Sequence, residues 1–243
     1  MAFLQHSMPS KPNIAFLFFA IVCTLNSSGQ TKFESFVWKS DETVSYNYYL
    51  KKPVSKSQNK PLVVYLHGSG ERGSDIEKVF INSPIGYLER QYPDCYILAP
   101  QCPNNQYWNA EALTKLVEFV LAKNAINKQQ IFLIGVSMGA WASWNILINN
   151  PDLFTAAATI SGFVDRIPML EFQKLANTPI YMYHGTDDNV VPYWYSETLY
   201  QKLKQVNSTV KLHSEPNVGH GGWDTLFQNN EFYSWLLNQK KHK

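Results

Sequence analysis

Ile131-Phe132-Leu133-Ile134-Gly135-Val136-Ser137-Met138-Gly139-Ala140 is the stretch on which the reading of this chain turns. Ile131 to Ile134 form a short apolar run that reads as a buried strand. Gly-x-Ser-x-Gly follows at once, and Trp141 to Asn149 then reads as a helix. Such a sharp turn strains the backbone of Ser137 and lifts its Oγ above the sheet edge. Glycines at 135 and 139 leave no Cβ where strand and helix nearly touch. The Met138 amide then lies at a helix N-terminus, facing any negative charge formed beside Ser137. The pentapeptide alone is a weak signal, and an ordinary serine in a Gly-rich turn is the plainer alternative. Its flanking strand and helix make Ser137 a candidate nucleophile.

Around this centre, 243 residues at 45% hydrophobic and 14% aromatic are enough for one sizeable core. A formal charge of +2 with no basic block argues against a nucleic-acid partner. Lys11 precedes the apolar run Ile14 to Leu25, and small residues follow at Ser27, Ser28 and Gly29. That run is shorter than the ~20 residues needed to cross a bilayer but suits a signal-peptide core. Residues 1–29 are therefore expected to be a signal peptide and 30–243 a single catalytic domain, secreted or periplasmic, with no stable membrane insertion after cleavage. A retained anchor is the alternative. Cys95 and Cys102 flank the strand-like run Tyr96 to Ala99. Extended chain of that length holds their Cα atoms on the order of 20 Å apart, beyond the ~7 Å limit for a bridge. No disulfide is expected.

The remaining segments alternate. An aromatic hairpin is expected over 33–37 and 44–50, then strands at 61–66, 96–99, 131–134, 154–160, 180–184 and 210–213. Helices are expected at 111–124, 141–149, 169–176, 193–206 and 223–238. The near-continuous apolar strands and intervening helices specify an α/β fold, a mostly parallel sheet with helices on both faces. Ligands in such sheets bind beyond the carboxyl ends of the strands, and no insertion is long enough for a large lid.

His67-Gly-Ser-Gly-Glu-Arg-Gly73 follows the 61–66 strand and contains Gly-x-Gly-x-x-Gly at 68, 70 and 73. A dinucleotide site needs a helix straight after this turn and an acid closing the next strand. Here Ser74 and Asp75 continue the polar loop, and Asp94 stands at the wrong end of the next strand, so no cofactor is expected. The loop reads instead as a donor of a backbone N–H to an oxyanion, from Ser69 with Gly70 beside it. His67 is expected to brace the loop, and Glu71 and Arg72 to form a pair or a solvated couple. His220, in a Gly-rich loop after the last strand, is the candidate base, with Asp187 or Asp188 as its acid partner. No recognised ligand spacing supports a metal site from His184, Asp187 and His220.

Four blocks carry a resemblance: Leu66 to Gly73, Gly135 to Gly139, His184-Gly-Thr-Asp-Asp-Asn-Val-Val-Pro192 and Gly219-His-Gly-Gly-Trp223. In this order they resemble the α/β-hydrolase superfamily. The likeness is to its small secreted esterases of the dienelactone-hydrolase, phospholipase/carboxylesterase and polyhydroxybutyrate-depolymerase-like branch, over about 44–237. The resemblance implies a Ser-His-Asp triad of Ser137, His220 and Asp188, because the family's His-Gly-x-x-Asp-x-x-Val-Pro pattern falls on Asp188. It implies an oxyanion hole from Met138 and Ser69. It also implies a serine carboxylic-ester hydrolase working through an acyl-enzyme on a small-molecule or glycan-linked ester. Tyr107, Trp108, Trp141, Trp194 and Trp223 are candidate pocket aromatics, of which Trp108 and Trp223, with Gly70, are the expected substrate contacts. Aromatics there would suit aryl- or sugar-linked esters. A serine peptidase of the same fold and a catalytically silent binding protein are the alternatives.

Overall fold

A computed structural model describes residues 35–40 and 44–241; the leader expected over 1–29 lies outside them. Among the described residues, the strands β1 (Ser35–Lys39), β2 (Ser45–Lys51), β3 (Lys60–Leu66), β4 (Tyr96–Gln101), β5 (Ile126–Val136), β6 (Ala156–Ile160), β7 (Ile180–Gly185) and β8 (Lys211–Glu215) form one sheet. Its order is β1-β2-β4-β3-β5-β6-β7-β8, with β2 antiparallel to both neighbours and β3 to β8 parallel. The helices are α1 (Ile85–Gln91), α2 (Ala110–Lys123), α3 (Met138–Asn149), α4 (Arg166–Met169), α5 (Trp194–Leu203), α6 (Asp224–Phe227) and α7 (Asn230–Leu237).

Alternation along the central strands splits the apolar side chains between two cores, because successive residues point to opposite faces. Leu62, Val64, Leu66, Ile131 and Leu133 join α2, α3 and α5 on one face. Val63, Tyr65, Phe132, Ile134 and Val136 join α1, α6 and α7 on the other. Both faces being covered is why these strands read as unbroken apolar runs.

Several expected boundaries shift for identifiable reasons. The closing helix is broken after Phe227, where the Asn229 side chain accepts the Glu231 N–H at 2.8 Å and starts α7 as a new N-cap. The short helix expected at 169–176 divides into α4 and a 3₁₀ turn at Phe172–Leu175. Pro168 lacks an N–H and is accommodated within the first turn of α4. Residues 76–91, unassigned from sequence, hold a 3₁₀ segment (Ile76–Phe80) and α1, and bury Val79, Ile85 and Leu88. The 161–179 connection between β6 and β7 carries only α4 and that turn, with no large lid.

Candidate active site

Ser137 follows β5 directly and stands at the N-cap of α3 with φ 53° and ψ −114°, a conformation costly for any residue but glycine. Its N–H is fixed by the Ile160 carbonyl at 2.8 Å, the last residue of β6. The turn is this tight because the chain lies against β3: a Cβ at Gly139 would sit 2.0 Å from Leu66 O, and one at Gly135 2.2 Å from Ser143 Oγ. Sequence placed glycine at both positions for this close approach, and the structure shows what each approaches.

His220 Nε2 lies 3.0 Å from Ser137 Oγ, and its Nδ1 lies 2.8 Å from Asp188 Oδ2. A carboxylate accepts only, so Nδ1 carries the proton, and Nε2 takes a hydrogen bond from the serine hydroxyl. Asp188 Oδ1 also accepts the Val190 and Val191 N–H groups at 2.9 and 2.8 Å. Burial alone would raise this carboxyl; hydrogen bonds from His220, Val191 and Val190 together outweigh it and hold Asp188 below its ordinary range. Asp187, its neighbour, faces outward and accepts from Thr186 Oγ1 at 3.0 Å. The His220 loop is anchored from two sides, by the Asp187 N–H on Val218 O (2.9 Å) and by the Tyr183 hydroxyl on Gly222 O (3.0 Å).

The 67–73 loop reaches the same place. A Cβ at Gly68 would stand 3.5 Å from Ser137 Cβ, and Ser69 opens a one-turn 3₁₀ helix there. Met138, at the first position of α3, has an N–H without an intrahelical partner. His67, fully buried, accepts the Cys102 N–H at Nε2 (3.0 Å), and its Nδ1–H donates to Gly68 O at 2.5 Å. It therefore braces the loop as a neutral ring. Glu71 and Arg72 do not pair with each other: Glu71 Oε2 lies 3.8 Å from His67 Nδ1, while Arg72 donates to Ser69 O and Gln106 O.

The expected substrate contacts need correction. Trp108 is 3% exposed; its Nε1–H donates to His67 O at 3.2 Å, so it supports the loop from behind and offers no face to a ligand. The sequence pairs it with Tyr107, and it is Tyr107, 70% exposed, that points outward. Trp223 is also buried and packs edge-on against the His220 ring at 5.2 Å. Gly70 sits at the open outer edge of the loop with nothing within 4 Å of a Cβ built on it. The aromatics that do border open space are elsewhere. Trp141, one turn below Ser137, packs against Tyr107 and donates to Asp165 at 2.7 Å. A cavity of about 590 Å³ opens between the 163–170 segment and α5, lined by Phe163, Met169, Leu170, Trp194 and Tyr195. Sequence reasoning missed this segment because a loop carries no periodic signal. His184, weighed from sequence as a metal ligand, instead has its Nε2 3.1 Å from Asp188 Oδ2.

Cys95 and Cys102 are both buried free thiols. Among the described residues no group of three or more His, Cys, Asp or Glu side chains is placed to hold a metal ion, and no helix is long and apolar enough to cross a membrane.

The buried imidazoles make stability depend on pH. Burial pushes His67 down to about 4 from 6.5, partly offset by the Gly68 carbonyl and reinforced by the Arg72 charge. Below pH 6.5 the unfolded chain binds a proton there that the folded chain refuses, so stability falls as pH drops toward 4. The shift corresponds to about 3 kcal/mol. Urea midpoints measured at pH 7, 5.5 and 4.5 are expected to decline in that order; a flat series contradicts this placement of His67.

A parallel sheet that presents a strained serine beneath an imidazole and a buried carboxylate, each on a strand-following loop, defines a serine hydrolase of the α/β-hydrolase fold. Comparison with known proteins narrows this. Residues 99–233, more than half of the chain, match the phospholipase/carboxylesterase family, and the chain belongs to it. It is 26% identical over 197 residues to acyl-protein thioesterase 1 of Debaryomyces hansenii, covering 66% of this chain and 84% of that protein. A solved structure described as a thermostable esterase superposes with a TM-score of 0.80 at 30% identity over 86% of this chain; the chain spans 63% of that one. S-formylglutathione hydrolase from Staphylococcus aureus, at 16% identity and a TM-score of 0.69, shares the fold over 88% of this chain and all of its own.

Proposed function

We propose that the chain is a serine carboxylic-ester hydrolase in which Ser137 is the nucleophile, His220 the general base and Asp188 the acid partner. The observation that carries this reading is the hydrogen-bonded line from Ser137 Oγ through His220 to Asp188, at 3.0 and 2.8 Å. Ser137 Oγ attacks the ester carbonyl carbon as its proton passes to His220 Nε2. The oxyanion accepts the N–H groups of Met138 and Ser69, each worth roughly 10²–10³ in rate. Collapse expels the alcohol, which takes the proton from His220. Water then attacks the acyl-enzyme by the same route and releases the acid. Asp188 holds Nδ1–H and stabilises the imidazolium formed in each half.

The cavity beside α5 supports a substrate with an apolar or aryl portion. Its volume lies within the ~300–1,000 Å³ of small-molecule sites, and it is lined by residues of the 163–170 segment and of α5, the helix that follows the Asp188 loop. Trp194→Ala is expected to raise KM for a p-nitrophenyl hexanoate roughly 10-fold while leaving p-nitrophenyl acetate within about 2-fold. Equal losses on both esters would place the chain's acyl pocket elsewhere. The reading as a whole is tested by a panel of acetyl, hexanoyl and feruloyl esters beside peptide p-nitroanilides. Ester turnover without anilide turnover is expected; turnover of the anilides alone would favour the peptidase. Export rests on the leader pattern of 1–29, and a mature chain beginning at Gln30 is its expected product.

A further inference from the structure

We propose that His184 is a positioning residue for the catalytic acid: its Nε2–H, shared between the Val191 carbonyl and Asp188 Oδ2, holds the carboxylate in the orientation that His220 meets. This rests on the hydrolase reading above. His184 is fully buried, with Nδ1 2.7 Å from Ser196 Oγ and Nε2 2.8 Å from Val191 O and 3.1 Å from Asp188 Oδ2. A backbone carbonyl can only accept, so the hydrogen sits on Nε2. The neutral ring must then accept the Ser196 hydroxyl proton at Nδ1, and both sides fix one tautomer. The Tyr193 ring closes the pocket edge-on at 5.9 Å, its own hydroxyl bonded to Ser214.

Asp188 is thereby held by backbone N–H groups on Oδ1 and by the His220 Nδ1–H on Oδ2, with the His184 Nε2 edge 3.1 Å from the same oxygen. The two rings come from different elements, one from the end of β7 and one from the loop after β8. A carboxylate gripped in this way cannot rotate about its terminal bond, and its charge is divided among several donors. Burial lowers His184 below the ordinary imidazole range, against opposing contacts from Val191 and Asp188. The groups with a titratable proton that face it are Asp188, His220 and the Tyr193 phenol. The ring stays neutral, and a donor, while His220 cycles.

His184→Phe keeps the ring shape and removes the donor. With active sites counted by phosphonate titration, kcat on p-nitrophenyl acetate is expected to fall roughly 10- to 100-fold at nearly constant KM. The acid-side pH of half-maximal kcat/KM is expected to rise by about half a unit, because a carboxylate relieved of one donor acts more strongly on the His220 imidazolium. His184→Gln, whose amide can place an N–H at the same point, is expected to restore most of both. A variant that loses only folded protein, with kcat per site and the acid limb unmoved, overturns the proposal. If His184→Phe does not fold, nitrogen-15 NMR of the histidine-labelled wild type decides the matter. His184 is expected in the neutral Nε2–H form at pH 7; an Nδ1–H form, or a doubly protonated ring, overturns it. Should the wild type cleave no ester, the hydrolase reading falls, and the same spectra still show whether His184 carries its proton on the nitrogen beside Asp188.

Discussion

Ser137→Ala is expected to lower kcat on a p-nitrophenyl ester by at least about 10³-fold, and by as much as ~10⁶-fold where nucleophile and base act as one unit. The alanine keeps the backbone that makes the turn: the Ile160 carbonyl still binds the 137 N–H, and the glycines on either side are unchanged. The folded structure and Tm are therefore expected to stay near wild type, which separates lost chemistry from lost protein. Adding His220→Ala to this variant is expected to cost little more, because a base with no hydroxyl to deprotonate does nothing further. Steady-state rates on purified single and double variants check this. A Ser137→Ala chain that keeps more than a few per cent of the rate would mean that another group performs the attack.

Gly139→Ala is expected to produce the largest loss of stability of any single methyl addition near the site. The added Cβ would lie 2.0 Å from the Leu66 carbonyl oxygen and 2.8 Å from that of His67. Both obstacles are backbone, so no side chain can swing aside. β3 and α3 must separate, which exposes part of the core between them and displaces the loop that starts at His67. A loss of at least about 3 kcal/mol is expected, or roughly 6–12 °C in Tm for a domain of this size. Gly70→Ala is the control: nothing lies within 4 Å of its Cβ position, so stability is expected to change by no more than about 0.5 kcal/mol. Thermal denaturation of the two variants side by side checks the pair. Equal Tm values would show that strand and helix are not in close contact at the elbow.

What the sequence made legible follows from how each feature is encoded. The Gly-x-Ser-x-Gly turn is local, and its glycines are demanded by contacts with Leu66 and Ser143 that any tightly turned strand–helix pair would create. The alternation of apolar strands and helices is equally local, and it specified the parallel sheet. Orientation is different. Trp108 and Tyr107 are neighbours with the same apparent chemistry, yet one is fixed behind His67 and the other lies in the open. Which of the two turns inward depends on Tyr46 and His67, far away in the chain, whose rings pack on Trp108 at 5.5 and 4.8 Å. The same holds for His184. It stands in the resemblance-bearing block with Asp188 and Val191, but its orientation also depends on Ser196, which lies beyond that block and which nothing in the spacing singles out. Breaks such as that between α6 and α7 were hidden because an asparagine cap interrupts an apolar pattern that would otherwise continue.

The central claim is that one serine, activated by one imidazole, forms a covalent bond to the acyl group. Treating the folded chain with an aryl fluorophosphonate and mapping the adduct by peptide mass spectrometry tests this most directly. A single stoichiometric adduct on Ser137 is expected, at a rate that falls steeply when His220 is replaced by alanine. An adduct on a different residue, or an unmodified chain after prolonged treatment at neutral pH, would contradict it.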